Sequence, residues 1–346
     1  MTTTRILDVD AVHSILDKTG SSEFLLMLIG RLRTAFESYD PMVVSSIDRT
    51  GFHYTRPDLG LVEWMPTMEA GRHVAVKTVG YHPTNPSQRS TPSVLSSTAI
   101  YDTTTGGLTA LVESTLLTAL RTGAASALAS ETLSIADATT VGVVGCGAQA
   151  VTQLHALSLV RPITRVIAYD TDLSNAKSLA SRIAFLGLDV EVVDGPGRDH
   201  LVDCSDILIT ATSVDPGAGP VVPDTGTQRP WLHVNAVGAD FMAKVEIPRS
   251  QLVRSLVIPD VTAQCLIEGE SQQLEADQLG PDLPTMVESA SEYETYRDRQ
   301  TVFDSTGWAV EDLVVAELAL DIAGELGLGT DTQFQASPPD PYDPYS

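Results

Sequence analysis

The sequence predicts an α/β protein in which a doubly wound parallel sheet is joined to a separate α+β domain. Two observations support this fold class. From Thr139 onward, short apolar strands alternate with helices, whereas the first 120 residues contain a long helical opening and short β-like runs. The 346 residues exceed one ordinary core, so we expect a domain formed by residues 1–122 with 310–346 and a second formed by residues 123–309.

The parallel sheet is predicted from the order of segments in the second half of the chain. Short apolar strands that alternate with helices are typical of a parallel sheet covered on both faces. Strands are expected at residues 140–144, 165–169, 190–193, 206–211, 232–236 and 255–259, and helices at residues 149–159 and 173–186.

The rest of the chain indicates a domain of a different kind. A helical opening is expected over residues 11–39, with β-like runs at residues 61–65 and 73–79. Residues 109–132 are predicted to be a helix-rich connection between the domains. A helix predicted over residues 310–326 follows the parallel sheet, so it is free to fold back onto the first domain.

The composition excludes several classes of partner. A formal charge of −24, from 45 acidic and 21 basic residues, indicates an acidic solvated surface that repels nucleic acid and anionic lipid. The N-terminus has no apolar signal core, and no run reaches the ~20 apolar residues of a membrane span, which favours a cytoplasmic protein. The three widely spaced cysteines fit neither a disulfide framework nor a zinc site, and no metal is expected.

A glycine turn follows the first strand of the predicted parallel sheet. In Gly145-Cys-Gly-Ala-Gln-Ala150 the chain passes from strand to helix, which is the context of a Rossmann dinucleotide fingerprint. Gly145 permits the tight turn, Gly147 lets a pyrophosphate approach the backbone, and Ala150 is small enough for close helix-to-strand packing. The free amides at the helix N-terminus attract phosphate.

The next strand ends in an acid that selects the cofactor. Asp170 lies 23 residues past Gly147, where a carboxylate accepts hydrogen bonds from the adenosine ribose hydroxyls. Because this carboxylate repels a 2′-phosphate, NAD is expected rather than NADP. The neighbouring Asp172 fits a simple helix cap.

Five segments, in order along the chain, resemble the ornithine cyclodeaminase and mu-crystallin family. They are residues 77–83 (KTVGYHP), 120–126 (LRTGAAS), 145–149 (GCGAQ), 235–240 (NAVGAD) and 303–312 (FDSTGWAVED). Within this family, residues 149–159 and 269–274 look most similar to lysine cyclodeaminases. The resemblance implies a homodimer paired through its N-terminal domains, NAD bound in the Rossmann domain, and an active site between the two domains.

The resemblance also implies a redox-balanced reaction on a basic L-amino acid. NAD takes hydride from the α-carbon, the side-chain amine attacks the resulting imine, ammonia leaves, and the hydride returns to the cyclic imine. L-Lysine is the expected substrate and L-pipecolate the expected product. The net reaction is deamination with ring closure and no net oxidation.

The same resemblance assigns roles to individual residues. Arg49, Lys77 and Arg121 match positions that hold the substrate carboxylate. Lys77 is also one of four lysines and lies among apolar residues, where a cation needs a partner. Asp240 matches the catalytic general base and follows a strand at the edge of the sheet where ligands bind. Glu63 matches the acid that faces the distal amine.

Further matches complete the expected site. Ser93, at a position where the family often has threonine, keeps the hydroxyl near the nicotinamide. Thr306 and Gly307 are assigned to the substrate pocket. The other residues assigned to the cofactor are Thr122, Ala148, Gln149 and Thr212. His82 and His233 are interpreted as structural histidines rather than proton shuttles.

Other functions share this scaffold, which also serves alanine dehydrogenases, cyclic-imine reductases and a hormone-binding crystallin. Glu63 favours a substrate with a distal amine, and Asp240 favours catalysis over binding alone. L-Ornithine stays an alternative substrate, because the one methylene that separates it from lysine is worth only ~1 kcal/mol in a pocket. Amino-acid dehydrogenation, cyclic-imine reduction and ligand binding without turnover stay alternative functions.

Overall fold

The structure is a computed structural model that describes residues 3–345. The chain forms two compact units. The first consists of the described residues within Met1–Phe24, Tyr39–Thr118 and Ala309–Ser346, and the second of Leu25–Ser38 with Ala119–Trp308. The domain boundaries predicted at residues 122–123 and 309–310 stay a prediction.

Strands and helices are numbered in chain order over the described residues. The strands are β1 (Thr4–Leu7), β2 (Val44–Ser46), β3 (Thr50–Tyr54), β4 (Gly60–Glu69), β5 (His73–Tyr81), β6 (Val94–Asp102), β7 (Leu108–Glu113), β8 (Thr140–Val144), β9 (Arg165–Tyr169), β10 (Asp189–Val192), β11 (Ile207–Thr210), β12 (His233–Ala236), β13 (Leu256–Pro259), β14 (Thr301–Asp304) and β15 (Thr330–Thr332). The helices are α1 (Val9–Thr19), α2 (Ser21–Glu37), α3 (Asn85–Arg89), α4 (Thr115–Leu133), α5 (Ala148–Val160), α6 (Leu173–Arg182), α7 (Arg198–Cys204), α8 (Arg249–Arg254), α9 (Thr262–Glu268), α10 (Leu283–Glu288), α11 (Ala290–Tyr293) and α12 (Ala309–Leu326).

The first unit is built on a mixed sheet ordered β15-β1-β7-β6-β5-β4-β2, with β3 paired to β4. Side chains alternate between the two faces of a strand, so one face of β4 and β5 is buried through residues such as Met65 and Ala75. Helix α12 packs against β4 and β5. The predicted return of this C-terminal helix to the first domain is therefore confirmed.

The second unit contains a sheet ordered β10-β9-β8-β11-β12-β14-β13, and every neighbouring pair in it is parallel. Apolar clusters cover both faces: Leu154 of α5 and Leu179 of α6 lie in one cluster, and Leu201 of α7 and Leu252 of α8 in the other. The predicted fold class, a doubly wound parallel sheet with a separate α+β part, is confirmed.

Two predicted helical segments differ in the structure. The opening over residues 11–39 is two helices, α1 and α2, because Gly20 at the end of α1 adopts φ 88°. The segment 109–132, predicted to be helix-rich, consists mostly of α4, but β7 occupies its beginning. Leu108, Ala110 and Val112 alternate with partly buried residues, which is the two-residue period of a strand.

Two further predictions need correction in the parallel sheet. The helix expected over residues 173–186 ends at Arg182, and Ala184–Leu186 form a 3-10 turn. Strand β14 was not predicted, because only two of its four residues, Val302 and Phe303, are apolar and they form no apolar run. It lies between β12 and β13 and is fully buried. The segment that follows it therefore begins at the carboxyl edge of the sheet, where ligands of open α/β sheets bind.

Candidate active site

Parallel strands bring the predicted cofactor and catalytic residues of the second unit to one edge of the sheet. Gly145, Asp170, Thr212, Asp240 and Thr306 follow β8, β9, β11, β12 and β14, respectively. All of them therefore lie at the carboxyl ends of neighbouring strands. The strand order reverses between β8 and β11, and ligands of open α/β sheets bind at such a reversal.

The glycine turn has the geometry that a dinucleotide phosphate requires. Gly145 has φ 94°, and a Cβ there would lie 2.5 Å from the carbonyl oxygen of Ala211. Beside Gly147 there is no atom within 4 Å of the position of a Cβ, so its backbone is open to an approaching group. Ala150 is fully buried against the sheet. Residues Gly145–Ala150 therefore fit the pyrophosphate of NAD.

Asp170 is fixed beside the glycine turn by backbone amides. Its Oδ2 accepts a hydrogen bond from Cys146 N at 2.8 Å, and its Oδ1 accepts one from Asp172 N at 2.8 Å. Asp172 in turn accepts from Ser174 N at 2.9 Å, which confirms that it caps α6. Burial raises the pKa of the Cys146 thiol to about 12, so this cysteine is an inert part of the turn.

The other predicted cofactor residues lie on separate elements. Thr122 is buried on α4, and its carbonyl accepts a hydrogen bond from Gln153 Nε2 at 3.1 Å. Ala148 and Gln149 open α5, where their amides belong to the free helix N-terminus. Ser93 belongs to the first unit, directly before β6, and its carbonyl accepts from His82 N at 2.8 Å.

A tight turn at residues 306–307 lies against the guanidinium of Arg121. Gly307 has φ 86°, and a Cβ there would lie 2.6 Å from Arg121 Nη2. Asp260 holds this turn, because its Oδ2 accepts from Gly307 N at 2.7 Å and its Oδ1 from Thr306 Oγ1 at 3.1 Å. Gln264 Nε2 donates to Thr306 Oγ1 at 2.6 Å.

Asp260 and Gln264 were missed by the sequence analysis, although they shape the predicted substrate pocket. Each lies more than forty residues from the turn that it holds. Neither residue stands in a recognisable motif, and β14, which brings the turn to them, was not predicted. Their contacts with the turn become visible only in the tertiary structure.

Asp240 is a partly exposed carboxylate paired with a buried cation. Lys244 Nζ donates to Asp240 Oδ1 at 2.8 Å, and the side chains are 9% and 49% exposed, respectively. The exposed half of Asp240 leaves it accessible to a ligand. Lys244 was also missed by the sequence analysis, although it is one of four lysines in the chain and lies four residues after Asp240.

In the first unit, Glu63 and Arg49 lie close together and are nearly buried. Glu63 Oε2 is 4.0 Å from Arg49 Nη1, and both side chains are 9% exposed. Glu63 Oε1 lies 3.1 Å from His53 Nε2. On the opposite strand, a Cβ at Gly51 would overlap the backbone of Val62 and Glu63, so this glycine permits the close approach of β3 to β4.

Lys77 lies on β5, on the buried face of the same sheet, and forms an ion pair with Asp312 of α12. Lys77 Nζ is 2.9 Å from Oδ1 and 2.8 Å from Oδ2, and both side chains are at most 4% exposed. The expectation that Lys77 needs a partner is thus confirmed. Asp312 was not selected from the sequence, although it ends the segment 303–312 that resembles the family.

The side chains of His233 and His82 both lie within hydrogen-bond distance of neighbouring polar side chains. His233 is fully buried, with Nδ1 2.8 Å from Thr301 Oγ1 and Nε2 3.2 Å from Asn235 Oδ1. Burial lowers its pKa to about 3, so it stays neutral at physiological pH. His82 Nε2 is 2.8 Å from the hydroxyl of Tyr54.

A group of side chains on the first unit has the spacing of metal ligands. Glu69, His73 and Glu317 offer ligand atoms within 4.8 Å of one another. Arg72 donates to Glu69 at 2.6 Å and to Glu317 at 3.2 Å, and His73 lies 2.6 Å from Glu317. The two carboxylates thus already have cationic and imidazole partners.

These features define a class of protein: α/β proteins with a Rossmann-type dinucleotide-binding unit and a second α/β unit that carries buried charged side chains. The chain belongs to the ornithine cyclodeaminase/mu-crystallin family, whose model matches residues 9–325. The family predicted from the five sequence segments is therefore confirmed. Among residues 3–345, no helix is both long and apolar enough to cross a membrane.

Individual relatives match over nearly the full chain. The L-lysine cyclodeaminase of Streptomyces rapamycinicus is 37% identical, and the match covers 99% of both chains. A solved structure of lysine cyclodeaminase, described for its recognition of L-lysine, L-ornithine and L-2,4-diaminobutyric acid, is 44% identical with a TM-score of 0.94 and 99% of both chains covered. An archaeal alanine dehydrogenase dimer with bound NAD is 26% identical, with a TM-score of 0.84 and 96% and 100% covered.

Proposed function

We propose that this chain is an NAD-dependent cyclodeaminase that converts L-lysine into L-pipecolate and ammonia. The observation that carries this proposal is the match, over nearly the full length of both chains, to lysine cyclodeaminase in sequence and in structure. The charged side chains of each unit supply the chemistry that the reaction needs. Arg49, Lys77 and Glu63 lie in the first unit, and Arg121 and Asp240 in the second.

The substrate carboxylate requires cations, and three are assigned to it. Arg49 and Arg121 offer planar guanidinium donors suited to two carboxylate oxygens, and Lys77 offers a point charge. Lys77 is already desolvated beside Asp312, so an incoming carboxylate meets a cation without a full shell of water. Thr306 and Gly307 line the pocket, since their turn is held against Arg121.

Asp240 is assigned the proton transfers at the α-amine. A carboxylate there accepts the proton of the α-ammonium group, which must be lost before the α-carbon can give up hydride. It then returns a proton to the departing ammonia. Lys244 Nζ, at 2.8 Å from Oδ1, orients the Asp240 carboxylate for the first of these steps.

Glu63 is assigned to the distal amine of lysine. Its buried carboxylate attracts the distal ammonium group and accepts the proton that this group must lose before it can attack. The glycine turn, Asp170 and Thr212 would hold NAD, which would supply a hydride acceptor for the substrate α-carbon and then a hydride donor for the cyclic imine. One lysine therefore gives one pipecolate and one ammonia, with no net oxidation.

Redox balance is the test of this proposal. Substrate should be consumed with stoichiometric ammonia, catalytic NAD should suffice, and no NADH should accumulate at 340 nm. α-Deuterated L-lysine should give pipecolate that retains deuterium at the ring α-carbon. An amino-acid dehydrogenase would instead accumulate one NADH per product, and a binding protein would release no ammonia. The proposal fails if neither lysine nor ornithine yields a ring product.

L-Ornithine is the second substrate to include. An ornithine cyclodeaminase from Agrobacterium fabrum is 29% identical over 97% of this chain, and ornithine differs from lysine by one methylene. A difference of ~1 kcal/mol in binding would give a preference of only about fivefold to tenfold in kcat/KM. Mass spectrometry of a substrate panel would rank the two amino acids.

We also propose a cytoplasmic homodimer paired through the first unit. Several apolar side chains of this unit, Met42, Ile47, Phe52 and Leu95, are between 47% and 86% exposed. Exposed apolar side chains in one region favour an interface between proteins. Light scattering should give twice the chain mass, and Phe52→Glu should shift the protein towards the monomer. A monomeric wild type would refute the dimer.

A further inference from the structure

The segment that carries Asp240 has a conformation that it does not favour by itself. We call residues Gly238–Glu246, which follow β12, the Asp240 loop. Ala243 within it adopts φ 62°, a backbone region that residues with a Cβ rarely occupy. Met242 beside it is 62% exposed, so apolar packing does not fix this part of the loop. Hydrogen bonds within the loop and to its surroundings must therefore hold it.

Glu246 closes the Asp240 loop with its side chain. Its carboxylate is fully buried; Oε2 accepts from Gly238 N at 3.0 Å and Oε1 accepts from Thr212 N at 2.7 Å. A Cβ at Gly238 would overlap this carboxylate, so the glycine is needed for the contact. The side chain of Glu246 thus joins both ends of the loop to Thr212, which is assigned to the cofactor.

The middle of the Asp240 loop is held by Gln272. Its Oε1 accepts from Ala243 N at 2.7 Å, and its Nε2 donates to Lys244 O at 3.1 Å. Glu270, two residues earlier, accepts from the backbone of Glu246 at 2.6 Å. Both belong to residues 269–274, which look most similar to lysine cyclodeaminases but have no role in the chemistry assigned so far.

The segment that carries Glu270 and Gln272 is bound to the parallel sheet. Asp304, the last residue of β14, accepts hydrogen bonds from Glu270 N at 2.9 Å and from Ser271 N at 2.8 Å. Three buried carboxylates, Asp304, Glu270 and Glu246, thus connect the sheet to the Asp240 loop through backbone amides. Burial raises the pKa of all three carboxyl groups.

We propose that Glu246 and Gln272 are positioning residues that hold Asp240 in the orientation required for proton transfer. Neither is assigned a contact with substrate. The inference rests on the proposed function, because it takes Asp240 as the general base. It predicts that loosening the loop lowers turnover more than substrate affinity, since reacting groups that move by about 1 Å can lose ~10²-fold in rate.

Two substitutions and a matched control test the proposal on the full enzyme with NAD. Glu246→Gln leaves one acceptor for two amides, and Gln272→Glu places a carboxylate where the structure has a donor facing carbonyls. The control is Asp206→Asn. Asp206 is also buried and accepts from two amides, Thr139 N and Thr140 N at 3.0 Å each, but it precedes β11 at the opposite edge of the sheet.

The expected result is a kcat lowered by about 10-fold to 100-fold in both test variants, with KM for lysine changed by less than about threefold. Glu246→Gln should also weaken NAD binding, because it releases the amide of Thr212. Gln272→Glu should leave NAD binding unchanged. Asp206→Asn should lose thermal stability but keep kcat. In Gln272→Glu with Asp240→Asn, turnover should be no lower than in Asp240→Asn alone, since the two changes act on one step.

Hydrogen exchange measured by mass spectrometry gives a readout that does not depend on turnover. Exchange over residues 238–246 should rise in both test variants and stay unchanged in Asp206→Asn. Unchanged exchange there, or kcat within twofold of wild type, would overturn the positioning role. If Glu246→Gln does not fold, Gln272→Glu decides alone, because Gln272 is only partly buried. If Asp240→Asn turns over normally, the positioning role is overturned together with the assignment of Asp240 as the general base. If the wild-type enzyme gives no ring product, the proposed function has failed instead.

Discussion

The two units of this protein stabilise buried charge in different ways. In the first unit, a buried carboxylate has a cation beside it: Lys77 lies 2.8 Å from Asp312. In the second unit, the buried carboxylates of Glu246, Glu270 and Asp304 accept hydrogen bonds from backbone amides. An ion pair between side chains can admit a charged ligand, because each side chain can pair with the ligand in place of its partner. A carboxylate bound to amides instead fixes the path of the backbone.

This difference separates two tasks. The first unit presents side chains whose charges match the carboxylate and the amines of a basic amino acid. The second unit fixes the loops at one edge of the sheet, where the glycine turn and Asp240 lie. Asp240 differs from these three carboxylates of the second unit, because it is partly exposed and pairs with Lys244.

The largest expected effect is at Asp240. Asp240→Asn should lower turnover by ~10²–10⁴-fold, because the amide keeps the shape of the side chain but cannot accept the proton. Circular dichroism and NAD titration should show a native fold and near-native cofactor binding. An ammonia assay measures the turnover, and a near-native rate would exclude Asp240 as the base.

Breaking the ion pair of the first unit should have the next largest effect. Lys77→Met leaves Asp312 buried without its cation, and removal of one partner of such a pair costs about 3–5 kcal/mol of unfolding free energy. Lys77→Met with Asp312→Leu should recover much of this loss, since no uncompensated charge remains. Urea unfolding of the two variants checks the prediction. A double variant no more stable than Lys77→Met would contradict it.

The amide-bound carboxylates should make stability depend on pH. Burial raises the pKa of Asp304 to about 7 from its ordinary value of 3.8. A group whose pKa is higher in the folded protein contributes stability that is complete at low pH and is lost as pH rises through the folded pKa. The contribution of Asp304 should therefore fall between about pH 4 and pH 7. Urea unfolding across this range should show a smaller fall in Asp304→Asn than in wild type.

A smaller effect is expected at the cofactor. Asp170→Ala should weaken NAD binding by about tenfold, since a hydrogen bond to a charged group is worth ~1.5 kcal/mol, and should make NADP relatively more acceptable. The matched control is Asp172→Ala, which removes only a helix cap and should leave cofactor preference unchanged. Fluorescence titration with both cofactors would show this. An unchanged preference in Asp170→Ala would remove the residue from the site.

The sequence by itself determined the parts of the protein that depend on local pattern. Strands β8 and β9 lie where apolar runs predicted them, and the glycine turn at Gly145 follows from the strand and helix on either side of it. A residue with φ 94° and a close backbone neighbour must be glycine, so the sequence alone identifies this part of the site. The family followed from the order of five short segments.

Only the tertiary structure decided which distant residues meet. Leu108–Glu113 is a strand because its alternate side chains are buried in the first unit, not because of an intrinsic preference. Asp312, Asp260 and Gln272 become partners of residues 28 to 235 positions away, through folding of the chain. A sequence pattern records local periodicity, whereas a buried charge takes whichever partner the fold brings within hydrogen-bond distance.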